Sequence, residues 1–99
     1  MVTTKLFFDM EFTGLHKDTT LISLGIVAET GEKFYAELSD YDKYQIDDWL
    51  QNNVLDKLSL QDREENSYTL INEEPRSFEF FGDMETLKVV LSDWLSQFE

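Results

Sequence analysis

Thr4-Lys5-Leu6-Phe7-Phe8-Asp9-Met10-Glu11 is followed directly by Phe12-Thr13-Gly14-Leu15. The first eight residues read as a β-strand, and Thr13-Gly14 ends it. Side chains two apart share a face of a strand. Leu6, Phe8 and Met10 therefore point one way, and Phe7, Asp9 and Glu11 the other. Large apolar groups on both faces are the composition of a central strand buried on both sides. Two acids on such a strand break its apolar rule, and breaks of this kind are expected at functional sites.

Working outward, residues 14–19 form a loop and 20–28 (Thr-Leu-Ile-Ser-Leu-Gly-Ile-Val-Ala) a second, more continuously apolar strand. Glu29-Thr30-Gly31-Glu32 is a turn with a glycine available for positive φ. Lys33–Leu38 completes an antiparallel hairpin. Residues 43–58 have helical spacing, with Ile46, Trp49, Leu50, Val54 and Leu58 near one stripe. Asp47 and Asp48 sit in its first turns, where the helix dipole favours negative charge. The stretch 59–82 is polar and mixed, a loop or small hairpin insertion in which Ser67–Ile71 can pair with Ser77–Phe81. A last helix starts at Gly82 or Asp83. Its face of Leu87, Leu91, Trp94, Leu95 and Phe98 needs a partner surface. The expected architecture is α/β: a three-stranded sheet with an antiparallel hairpin plus two helices. One helix on so thin a sheet leaves strand one undercovered.

The chain has 99 residues, enough for one small domain. At 41% hydrophobic residues it can form a core, and its composition is not that of a disordered tail. It contains no cysteine, which excludes disulfides and thiolate metal sites. No apolar run approaches the roughly 20 residues of a membrane span, and no start resembles a signal peptide. The expectation is a cytoplasmic protein with no membrane partner. Asp and Glu total 21 against 8 Lys and Arg, a formal net charge of -13. Such a surface repels phosphate backbones at long range, which disfavours passive nucleic-acid binding. It suits a site that loads hard divalent cations on carboxylate oxygens. Solubility alone also explains many of these charges.

Asp9 and Glu11 are the residues with chemistry to offer. On a strand their Cα atoms lie about 6.5–7 Å apart and both side chains leave one face. Carboxylates so placed can hold one ion together, or bridge two ions about 3.5–4 Å apart. Burying them is costly unless they are paired or metal-bound. The plainer reading is a strand end emerging into solvent, since an isolated Asp-x-Glu is common.

The surroundings sharpen the choice. Asp9-Met10-Glu11-Phe12-Thr13-Gly14-Leu15, a short loop, Leu21-Ile22-Ser23-Leu24-Gly25-Ile26-Val27, and then Gly31 with Phe34-Tyr35-Ala36-Glu37 resemble the opening of the DEDD (DnaQ-like, ribonuclease-H-like fold) 3'-5' exonucleases. A bacterial 3'-5' exoribonuclease branch is the most similar in wording. Trp49 and Val54-Leu55-Asp56-Lys57-Leu58 resemble the helix after the hairpin. The resemblance covers residues 5–58 well and 83–98 loosely. It implies the N-terminal half of a ribonuclease-H-like fold, with residues 1–99 a single incomplete exonuclease-like domain. It implies a two-metal site for Mg²⁺ or Mn²⁺, of which this chain holds half the ligands. Asp9 would bridge both metals, and Glu11 would bind the one that activates water. Phe12, Thr13, Gly14 and Leu15 would hold the terminal nucleotide, with backbone amides and a hydroxyl near Phe12 and Thr13. Thr13 would lie by the 3'-hydroxyl, Gly14 would allow the close turn, and Leu15 would wedge against the last base. Phe12 reads equally well as a core aromatic. His16 is a loop residue in the wrong place for the family's catalytic histidine.

The family needs two further carboxylates and a His or Tyr base, all from later motifs. Asp83, Glu85 and Asp93 do not match those motifs and read as capping and solvating the last helix. In the family's sheet, strand one lies between strand two and a later strand. Without that strand its edge is open and tends to recruit another. The expectation is thus a shortened piece, a split gene product or a self-associating remnant, with little nuclease activity alone. The partners implied are the 3' end of single-stranded RNA or DNA, between which the first motif does not choose. A second copy or complementing chain at the strand-one edge is also implied. Two other functions fit: a catalytically dead interaction module using that edge, and an acidic decoy of a basic nucleic-acid-binding protein.

Overall fold

The structure, a computed structural model, describes residues 3–98. Five strands form a mixed sheet, in the order β1-β2-β3-β5-β4. They are β1 (Leu6–Phe12), β2 (Leu21–Ala28), β3 (Lys33–Leu38), β4 (Ser67–Glu73) and β5 (Arg76–Gly82). Neighbours run antiparallel except β3 and β5, which are parallel. The three-stranded sheet expected from sequence is therefore two strands too small. Ser67–Glu73 and Arg76–Gly82 form a hairpin whose second strand lies against β3. The reason is β5 itself: Phe78 and Phe80 stand beside Phe34 and Ala36 and extend the same apolar face.

That face carries the main core. Leu24, Ile26, Phe34, Ala36, Leu38 and Phe80 are buried beneath helix α2 (Met84–Ser96). Asp83 starts α2 by accepting the Thr86 amide on its carboxylate at 2.8 Å, which satisfies an orphan donor of the first turn. Leu87 and Trp94 are buried, with the Trp94 ring 5.6 Å from Phe34 and 5.0 Å from Phe98. The apolar face of the last helix thus has its partner within the chain: β3 and β5.

A smaller core occupies the opposite face, where Ile22 meets Leu50 and Val54, with Ile46, Leu55 and Leu58 around them. A bulge makes this possible. Glu11 pairs with Ser23 but Phe12 pairs with Leu21, leaving Ile22 as an extra residue. An inserted residue re-aims its neighbours, so Leu21 joins the main core and Ile22 the smaller one. The single helix expected over 43–58 is instead a 3-10 turn at Lys43–Gln45, helix α1 at Asp48–Asn53 and a 3-10 turn at Leu55–Lys57. One aspartate caps its first turn and a second, inside the stretch, interrupts it. Asp42 accepts the Tyr44 amide at 3.0 Å and Asp47 the Leu50 amide at 2.8 Å; such side chains compete with the helix for its own donors. Trp49 leaves the expected stripe and is 64% exposed.

β1 brings a further correction: its faces, read as buried on both sides, are largely exposed. It lies at the edge of the sheet, as expected where the family's later strand is absent, and β2 is its one neighbour among the described residues. Phe7, Phe8 and Met10 remain 60%, 56% and 46% exposed. The phenylalanines of β1 favour a strand, but beyond Leu6, which packs against the main core, little of the described chain covers its faces. No helix among the described residues is long and apolar enough to cross a membrane.

Candidate functional site

The register of β1 on β2 runs without a shift from Leu6 to Glu11, so Asp9 and Glu11 leave the same side of the sheet. Both are exposed. Neither makes a side-chain hydrogen bond or ion pair with another described residue. Their cross-strand partners are small: Gly25 beside Asp9 and Ser23 beside Glu11. A Cβ at Gly25 would meet only ordinary contacts, 3.8 Å from the Asp9 carbonyl oxygen. The glycine is therefore not demanded by packing. It leaves open floor next to the Asp9 carboxylate.

Glu11 also lines a cleft of about 350 Å³ with Thr13, Leu15, Asp47 and Trp49. Asp47 is occupied there by its cap on α1. No group of three or more His, Asp or Glu side chains converges among the described residues. The donor set fits a hard cation in kind, with oxygen ligands free and side by side. In number it supplies two carboxylates.

The loop after β1 is held by Thr13. This residue is 4% exposed. Its hydroxyl accepts the Thr20 amide at 2.9 Å and donates to Gln45 Oε1 at 3.0 Å. Its own amide donates to the Thr20 carbonyl, and the Gly14 amide donates to the Thr19 hydroxyl, both at 2.9 Å. The Thr13 hydroxyl and amide, expected near a terminal nucleotide, and the Gly14 amide are thus engaged in closing their own loop. A Cβ on Gly14 would stand 2.8 Å from the ring of exposed His16, a side chain that can rotate away, so packing does not demand glycine there. Leu15 projects fully into solvent, and Phe12 lies at the margin of exposure on β1.

Sequence reading missed Glu37. It lies across the sheet from Ser23, in one row with Glu11, and is 0% exposed. Its carboxylate accepts from Tyr35 Oη at 2.6 Å and from the Ser59 amide, the Leu60 amide and Gln61 Nε2 at 2.9 Å each. These bonds fasten residues 59–61 over β3. Two strand spacings, about 10 Å, separate it from Glu11, so it is no third ligand to the β1 pair. Burial, the hydrogen bond to Glu37 and the negative charge there push the Tyr35 phenol far above its ordinary range. An acid inside the apolar run Phe34-Tyr35-Ala36-Glu37-Leu38 was the available sign.

Among curated proteins, the chain is similar to 3'-5' exoribonucleases from two strains of Mycobacterium tuberculosis. Each is 37% identical over 54 residues, a stretch covering 54% of this chain and 32% of the relative. The match thus spans about a third of the length of these relatives. No family model matches the chain.

Proposed function

We propose that this chain is related to the DEDD 3'-5' exonucleases and carries the first part of their divalent-cation site in Asp9 and Glu11. The observation that carries the reading is the pair itself: two exposed, unpartnered carboxylates on one side of β1, flanked by Gly25 and Ser23. The partial similarity to exoribonucleases supports it, and favours single-stranded RNA over DNA as the substrate class of the complete activity. The ribonuclease-H-like fold belongs to the same proposal, as do the roles in it. Asp9 and Glu11 hold Mg²⁺ or Mn²⁺. Leu15 and Phe12 offer apolar surface on which a terminal base can rest, a sequence-tolerant contact. Bound metal supplies activated water and neutralises charge on the leaving oxygen. With net charge -13, the surface repels a phosphate chain until cations load. Two carboxylates are half of the set such a site uses, so the chain alone binds the ion weakly and cleaves little.

Calorimetric titration with Mn²⁺ tests this. The tightest site is expected to vanish in Asp9→Ala and in Glu11→Ala, and to persist in Glu73→Ala, which removes an equal charge elsewhere. Equal weakening by all three would reduce the effect to general acidity and sink the reading.

A further inference from the structure

We infer that the cavity between the C-terminal half of α2 and the β4–β5 hairpin binds a small zwitterion of the α-amino-acid class. It encloses about 280 Å³, and Tyr68, Arg76, Phe78, Asp93, Trp94 and Gln97 contribute to its walls. Asp9 and Glu11 take no part in it. They stand on β1, at the other end of the sheet, four strand spacings or roughly 19 Å from β4. They also leave the opposite face from Phe78 and Trp94.

Trp94 points to a ligand. Its side chain is 2% exposed, and its indole N–H has no hydrogen-bond partner among the described residues. A buried indole N–H ordinarily finds an acceptor, and leaving one without is costly. The rings beside it, Phe34 at 5.6 Å and Phe98 at 5.0 Å, carry no oxygen. The cavity is the space in which an acceptor can reach it. Two more donors line the same space. The Tyr68 hydroxyl makes no hydrogen bond with a described side chain. The Arg76 guanidinium lies over the Phe78 ring, 5.2 Å from its centroid, and makes no ion pair among the described residues, although Glu73 is opposite it in the ladder. An arginine without an ion pair stands out in a chain with 21 acidic and 8 basic side chains. Asp93 supplies the one carboxylate of the lining, and it too makes no ion pair. The Tyr68 phenol senses both charges: burial and then Asp93 raise its pKa, and Arg76 lowers it.

Charge selects the ligand. An anion alone would meet Asp93 and the field of a chain with net charge -13. A cation alone would meet Arg76. Arg76 and Asp93 line one cavity without pairing to each other, so a molecule that carries both charges answers both. Its carboxylate takes the fork of Arg76 and the N–H of Trp94, since guanidinium and carboxylate match in geometry. Its ammonium faces Asp93. Being neutral overall, it is not repelled by the acidic surface. Its side chain rests against Phe78 and Tyr68, whose rings stack at 4.6 Å. The volume suits a few heavy atoms, being at or below the roughly 300 Å³ at which sites for larger ligands begin.

Titration of L-alanine into the isotope-labelled chain, followed at its two indole N–H signals, tests this. Trp49 is 64% exposed and serves as the internal reference. The Trp94 signal is expected to shift saturably, with a Kd in the millimolar range, and the Trp49 signal to stay in place. Acetate and ethylammonium, which each carry one of the two charges, bind at least tenfold more weakly. Arg76→Gln and Asp93→Asn, both at exposed positions, each weaken binding roughly tenfold. Circular dichroism checks that both variants fold. Asp9→Ala binds L-alanine like the unaltered chain while losing the cation, which separates this site from the one on β1. Three results would overturn the inference. One is a Trp94 signal unmoved at about 50 mM L-alanine. Another is acetate binding as tightly as alanine. The third is a crystal structure grown with L-alanine in which the chain's own residues, or an ion pair between Arg76 and Asp93, fill the cavity.

Discussion

Replacing Glu37 by alanine removes the acceptor that ties residues 59–61 to the sheet. Four donors lose their partner at once: Tyr35 Oη, the Ser59 and Leu60 amides and Gln61 Nε2. Gln61 is exposed and Ser59 is exposed, so water replaces much of what they lose. Leu60 is 1% exposed, and its amide is left dry unless the loop opens. A buried donor without a partner costs about 1–3 kcal/mol, and each bond to a charged acceptor contributes about 1.5–3 kcal/mol. One dry donor, one half-buried donor at Tyr35 and two that rehydrate give a loss of about 2–4 kcal/mol. A chain of this size has a total stability of about 5–15 kcal/mol, so the variant stands near its unfolding threshold. Urea unfolding by linear extrapolation measures the difference. Tyr35→Phe deletes one of the four bonds and is expected to lose only about 1–2 kcal/mol. A loss below about 1 kcal/mol for Glu37→Ala, beneath the contribution of a single charged hydrogen bond, would refute the idea that this carboxylate fastens the loop.

Thr13→Val keeps the shape of the buried side chain and deletes the hydroxyl that joins Thr20 to Gln45; a loss of about 1–3 kcal/mol and faster amide exchange over residues 14–19 are expected, and unchanged exchange there would contradict it. Asp83 is held below the ordinary carboxylate range by its hydrogen bonds with Thr86. A depressed folded-state pKa means its contribution is present at neutral pH and is lost as pH falls through that lowered value. The stability difference between the wild-type chain and Asp83→Asn, followed by thermal melts, is therefore expected to shift against the wild type on acidification; a pH-independent difference would count against the cap's charge.

The alternation in residues 6–11 was legible because it depends on local geometry alone. It correctly grouped Asp9 with Glu11 and Phe7, and the hairpin Leu21–Leu38 followed from Gly31, whose φ of 102° fits the turn. The open outer edge of β1 was expected from the resemblance, but how little of its two faces is covered was not legible. Apolar residues on both faces state what a strand would bury, and only tertiary pairing decides what it does bury. The joining of β5 to β3 is a parallel contact across more than forty positions, Lys33 to Ser77 and onward, and no local spacing encodes such a pairing. The interruption near Ile46 turned on Asp47 taking the Leu50 amide, where helical periodicity alone weighed only the apolar stripe. Of the candidate site, the two acids were readable as a pair. The internal engagement of Thr13 was hidden because its partners, Thr20 and Gln45, are brought to it by the fold.

Paramagnetic broadening by substoichiometric Mn²⁺, read residue by residue in an amide correlation spectrum, tests most directly whether Asp9 and Glu11 bind one cation together. The account predicts that signals of residues 8–12 and of Ser23 and Gly25 across the strand fade first, and that Asp9→Ala abolishes this selectivity. Broadening that begins elsewhere on the acidic surface, or that spreads evenly over it, would contradict the claim.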